Sequence, residues 1–93
     1  MYDVIFTNQF SKDYKKSLKR KCDIDLLNNL IETLAASGVV PLNCKPHILS
    51  GKLSGYWECH IKSDWLLIWR KDEKLKVITL IGTGTHSDFF DHG

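Results

Sequence analysis

Gly55-Tyr56-Trp57-Glu58-Cys59-His60-Ile61-Lys62-Ser63-Asp64-Trp65-Leu66-Leu67-Ile68-Trp69-Arg70 is the stretch that decides how this chain folds. Two runs of aromatic, aliphatic and β-branched residues flank a polar break at Lys62-Ser63-Asp64, which is the pattern of a β-hairpin. Side chains alternate along a strand. Tyr56, Glu58 and His60 therefore share one face, and Trp57, Cys59 and Ile61 share the other. In the returning run Trp65, Leu67 and Trp69 lie together, while Leu66 and Ile68 point away. One face is apolar enough for a core. The other brings an imidazole and a carboxylate near aromatic rings, with Asp64 beside them in the turn.

Outward from the hairpin the pattern is simple. Tyr2 to Phe6 reads as a short strand. Asn8 is a suitable N-cap for a helix to about Lys21, in which Phe10, Tyr14 and Leu18 form a buried stripe. Asp23 can cap a second helix with apolar positions Ile24, Leu27, Leu30, Ile31 and Leu34, and Gly38 ends it. The short connection predicts an antiparallel helical hairpin. Val39 to Pro46 reads as a loop, broken by Pro41 and Pro46. A short strand-like segment follows at His47-Ile48-Leu49, then a turn from Ser50 to Gly55. Beyond the hairpin, Lys71 to Lys74 is a polar turn and Leu75 to Ile81 another strand. Gly82-Thr83-Gly84 begins a glycine turn, and the tail carries Phe89 and Phe90. The order β-α-α-β-β-β predicts an α+β domain over residues 1–93, its two-helix hairpin packed on one face of a small, mainly antiparallel twisted sheet. The other face is left to solvent or a ligand.

Composition bounds the function. The 93 residues suffice for one two-layer domain. No run approaches the length of a membrane span, and Met1-Tyr2-Asp3 does not begin a signal peptide, so a cytoplasmic protein with no membrane partner is expected. Cys22, Cys44 and Cys59 cannot all pair within one chain and form no CxxC unit, which predicts free thiols. Net charge is only +2, but Lys12, Lys15, Lys16, Lys19, Arg20 and Lys21 crowd the first helix. Such a block suits phosphates or an acidic protein, or is simply a solvated face.

His47, His60, Asp64 and His86 all fall at strand ends or turns of the C-terminal half. They admit three readings. A metal ion is one, with Cys44 or Cys59 as further ligands, although His60-x3-Asp64 matches no recurrent ligand pair. Acid–base catalysis is the second. A histidine pair divides into a base and an acid, which suits cleavage of RNA through its own 2′-hydroxyl. Gly82 and Gly84 would then let backbone N–H groups approach a phosphate. Tyr56, Trp65, Trp69 and Phe90 would stack on unpaired bases. The third reading is structural, with each histidine a turn or half-buried strand residue. His92 is left to that reading, and Trp57 to packing.

Four stretches together carry a family resemblance. Pro46 to Gly55 contains His47-x-Leu49-x-Gly51, Gly55-Tyr56 is followed by His60, and Asp64-Trp65-x-Leu67 leads to Trp69. The pattern resumes at Thr83-Gly84-Thr85-His86-Ser87-Asp88-Phe89-Phe90. Over nearly its whole length the chain resembles the YafQ-type ribonuclease toxins of the RelE superfamily, the toxin halves of bacterial toxin–antitoxin pairs. The resemblance implies a RelE-like fold and a metal-independent endoribonuclease without cofactor. It implies cleavage of mRNA in the ribosomal A site and silencing by a cognate antitoxin. It assigns His47, His60, Asp64 and His86 to the acid–base group, with His86 as general acid. Trp65 and Phe90 match positions that pack around or stack on RNA. The family has arginines where this chain has Trp57 and Gly82, leaving Lys52, Lys62 or Arg70 to supply positive charge. A rival reading keeps the fold as a catalytically weakened binding module acting through its antitoxin or nucleic acid.

Overall fold

The computed structural model describes residues 1–90, so His92 lies outside the described residues. Its elements are β1 (Asp3–Phe6), α1 (Asn8–Lys19), α2 (Ile24–Ser37), β2 (His47–Ile48), β3 (Trp57–Lys62), β4 (Trp65–Asp72), β5 (Val77–Gly84) and α3 (His86–Phe90). The five strands form one sheet in the order β1-β5-β4-β3-β2. Only β1 runs parallel to its neighbour, pairing Asp3 with Val77 through to Phe6 with Leu80. The expected α+β layout is present.

The helices cover one face. Trp57, Cys59, Leu67 and Trp69 project from the hairpin into a core shared with Phe10, Leu27, Leu30, Leu34, Ile78 and Leu80. Alternation thus selects the face that the apolar pattern predicts. The helical stripe of α1 differs from expectation. Phe10 and Ser17 are buried, whereas Leu18 is 49% exposed, because α1 meets the sheet along the row that passes through position 17. Ser17 suits the site because its hydroxyl donates back to the Asp13 carbonyl at 3.0 Å. The N-cap is Thr7 and not Asn8: its extended backbone lets its hydroxyl accept the Phe10 N–H at 3.0 Å. The α2 stripe is as read, and Gly38 ends the helix with φ +77°. A groove of about 510 Å³ separates α1 from α2, lined by residues that include Phe6, Phe10, Tyr14 and Ile31.

β5 starts and ends later than the periodicity suggests. Asp72 accepts the backbone N–H groups of Lys74 and Leu75, both at 3.0 Å, so Leu75 belongs to the turn. At the far end no glycine turn forms, and the strand continues to Gly84, pairing Gly82 with Ile68 and Gly84 with Leu66. β1 has ended by then. Helix α1 supplies the missing partner, with the Asp13 carboxylate accepting the Thr83 N–H at 3.1 Å. An open sheet edge is thereby satisfied by a side chain.

Candidate active site

The face opposite the helices carries Glu58 and His60 from β3, with Leu66 and Ile68 from β4. It is not simply open to solvent: Glu58, Leu66 and Ile68 are buried. Strand pairing sets His47 of β2 directly across from Glu58. Its Nε2 lies 3.2 Å from Glu58 Oε1, and its Nδ1 lies 3.1 Å from the Lys45 carbonyl. Glu58 Oε2 is buried without a hydrogen-bond partner among the described residues.

His86 arrives from the other end of the chain. It opens α3, a helix absent from the sequence-based expectation. Its signal is a capping box at Thr85-His86-Ser87-Asp88 ahead of Phe89-Phe90. Thr85 N–H donates to Asp88 Oδ2 at 2.8 Å, and Asp88 N–H donates to Thr85 Oγ1 at 3.2 Å. As the first helical residue, His86 has a backbone N–H with no partner inside the helix. That group donates to Asp64 Oδ1 at 3.1 Å, and the ring Nδ1 meets the same oxygen at 2.8 Å. These two contacts hold the Asp64 carboxyl below the usual carboxylate range. The ring of His86 lies 5.6 Å from that of His60 and 6.1 Å from that of Phe90.

His47, His60, Asp64 and His86 thus gather at one place, as expected. Phe90 stands beside them and is 48% exposed. Glu58 is the neighbour of these four that sequence reasoning leaves out of the group. Alternation puts it on the correct face, but nothing in the chain alone reveals that it is buried against His47.

Two aromatic expectations are corrected. Trp65 and Trp69 are 8% and 2% exposed, on the core side, so neither presents a ring to an RNA base. Trp69 stacks on Trp57 at 6.2 Å, which confirms Trp57 as packing. Trp65 Nε1 donates to Thr83 Oγ1 at 2.9 Å, and Thr83 Oγ1 donates to the Leu66 carbonyl at 2.7 Å. Trp65 therefore ties β4 to β5 just beneath Asp64 and His86.

The expectation that Gly82 and Gly84 let backbone N–H groups approach a phosphate is also corrected. A Cβ on Gly82 would stand 2.9 Å from Asp13 Oδ2 and 2.9 Å from the Phe89 ring; one on Gly84 would stand 2.5 Å from Asp88 Oδ2. The glycines admit the chain's own side chains. The N–H groups of Thr83 and Thr85 are already taken by Asp13 and Asp88. Lys52, Lys62 and Arg70 are exposed, and none forms an ion pair among the described residues.

The cysteines are free thiols. Cys59 faces the core, where burial pushes its thiol up to about 12, so it does not join the histidines. The donor set that could hold an ion is Glu58, His60 and His86, with ligand atoms within 4.8 Å of one another. Chemically the same groups form an acid–base arrangement. Asp64 holds the His86 ring through Nδ1 and leaves Nε2 without a hydrogen-bond partner among the described residues, as in carboxylate–histidine pairs generally.

Over residues 2–91 the sequence matches the family described as the bacterial toxin of type II toxin–antitoxin system, YafQ. The mRNA interferase toxin YafQ of Escherichia coli (strain K12) is 37% identical over 90 residues, which span 95% of each chain. The crystal structure of the E. coli DinJ–YafQ complex aligns with a TM-score of 0.84 and 34% identity, over 97% of this chain and 99% of that one. A metal-bound toxin from Helicobacter pylori aligns at 0.87 and 31% identity, over 97% and 100%.

Proposed function

The chain belongs to the YafQ family of type II toxin–antitoxin toxins and is an mRNA-cleaving endoribonuclease, and we propose that it cuts by metal-independent acid–base catalysis at His47, His60, Asp64 and His86. The observation that carries this reading is the Asp64–His86 pair, at 2.8 Å, facing His60. In the reaction a base removes the 2′-hydroxyl proton and the 2′-oxygen bonds to phosphorus. The bond from phosphorus to the 5′-oxygen breaks, and His86 Nε2–H protonates the departing oxygen. The products carry a 2′,3′-cyclic phosphate and a 5′-hydroxyl. Asp64 fixes the ring and stabilises the protonated acid. Phe90, partly exposed beside His86, is the ring that stacks on a neighbouring base. Lys52 and Lys62 supply positive charge to the RNA.

The substrate is mRNA held in the ribosomal A site, and the protein works in the cytoplasm. Its partner there is a cognate antitoxin, in keeping with the DinJ–YafQ complex of the relative. Mapping RNA 5′ ends after brief induction tests the reading. Wild type should produce new 5′-hydroxyl ends and growth arrest. His86→Ala should give neither while its circular dichroism spectrum stays native. Ends bearing 5′-phosphates would refute the chemistry.

Metal enters as an inhibitor. An ion on Glu58, His60 and His86 would occupy the imidazole nitrogens that move protons, and the H. pylori relative is metal-bound. Cleavage should persist in excess chelator and fall when zinc or copper is added. Loss of cleavage in chelator, restored by metal, would reverse the assignment.

A further inference from the structure

We propose that Glu58 is a positioning residue of the cleavage site: it holds His47 in place, so that His60, and not His47, receives the 2′-hydroxyl proton. This rests on the nuclease reading above and divides the roles within it.

The Glu58 side chain is only 5% exposed, between His47 on one neighbouring strand and the buried Ile68 on the other. A carboxylate is costly to bury there, and Oε2 recovers no hydrogen bond among the described residues. An apolar side chain would suit the strand better, so folding alone does not account for an acid at this position. Glu58 pairs instead with His47, through Nε2 at 3.2 Å.

The other nitrogen of His47 settles what that pairing does. Nδ1 lies 3.1 Å from the Lys45 carbonyl, and a carbonyl oxygen only accepts, so Nδ1 carries hydrogen. Nε2 is engaged by the Glu58 carboxyl oxygen at 3.2 Å. Both ring nitrogens of His47 are then occupied, and neither is open to a hydroxyl. His60 has no hydrogen-bond partner among the described residues, and its ring is 5.6 Å from that of His86. A base and an acid on adjacent imidazoles suit proton removal and return at one phosphate. Glu58 itself is too enclosed to touch the 2′-hydroxyl, so it acts through His47.

A double-mutant cycle on the RNA that wild type cleaves tests this, using Glu58→Gln, His47→Gln and the pair. Glu58→Gln should lower kcat roughly tenfold or more with KM within about twofold. Adding it to His47→Gln should cost less than about twofold further. Glu58→Asp should restore part of the loss, and His60→Gln should be more damaging than His47→Gln. In nitrogen NMR spectra, Glu58→Gln should move the His47 ring signals further than those of His60 or His86, which stand near the carboxyl without a hydrogen bond to it. Multiplying losses in the cycle, or a Glu58→Gln variant that cleaves like wild type, would overturn the proposal while leaving the nuclease reading intact. A wild type that cleaves no RNA would overturn both. Should Glu58→Gln not fold, Glu58→Asp takes its place in the cycle: a loss that multiplies with that of His47→Gln refutes the assignment, and a loss that vanishes in the His47→Gln background supports it.

Discussion

Asp88 and Gly82 show how single residues set this site from outside it. Asp88 accepts the Thr85 N–H and pairs with Arg20 Nη1 at 3.1 Å and Lys16 Nζ at 3.6 Å. The Thr85 hydrogen bond, joined by Arg20 and Lys16, holds its carboxyl down at about 2. A depressed folded-state value means that the stabilisation is present above the unfolded value near 4 and is lost as pH falls toward 2. Asp88→Asn should therefore cost about 1 kcal/mol at neutral pH, and thermal melts should show the gap to wild type closing between pH 4 and 2. Gly82 stands where the family resemblance implies an arginine, yet Asp13 and the Phe89 ring leave no room for a Cβ. Gly82→Ala should destabilise by about 1–3 kcal/mol in denaturant unfolding, and an arginine there would not rescue the missing charge.

At the level of elements, the site is a product of how β4 and β5 are joined. Asp64 precedes β4 and His86 follows β5. Their separation is governed by the Trp65–Thr83 hydrogen bond and the Thr83–Leu66 bond beneath them. A Trp65→Phe variant keeps the ring in the core but loses the indole donor. It should cost about 1–2 kcal/mol and lower kcat more than it changes KM, because Asp64 and His86 lose their common support. Equal kcat in the folded variant would mean that the clamp does not set the catalytic geometry. Helix α3 owes its start to the Thr85–Asp88 capping box, a local signal readable in the chain. The five-residue element is too short for periodicity to reveal.

Across the whole molecule the basic block on α1 divides in two. Lys16 and Arg20 are engaged by Asp88 and so help seat α3, while Lys12, Lys15 and Lys19 are exposed on the helix, as is Lys21 just past it. Replacing Lys12, Lys15 and Lys19 with glutamine should leave kcat on a short RNA within about twofold. Binding to ribosomes should weaken, and the salt slope should fall by roughly 0.7–0.9 for each phosphate that no longer meets a lysine. An unchanged salt dependence would assign this face to another partner.

What the chain alone determined about this protein is whatever local periodicity and strand alternation encode. The hairpin, its core face, both long helices and the grouping of His47, His60, Asp64 and His86 follow from residues near one another or from the order of elements. The family pattern reinforces that grouping. Tertiary structure decided the rest, because burial and partnership belong to neighbours distant in sequence. Trp65 and Trp69 look like stacking platforms until the helices cover them. Gly82 and Gly84 look like a phosphate turn until Asp13, Phe89 and Asp88 fill the space beside them. Glu58 looks like one more polar strand residue until β2 pairs with β3 and His47 closes over it. The pairing of two chain segments turns that ordinary carboxylate into a buried one held against the His47 imidazole.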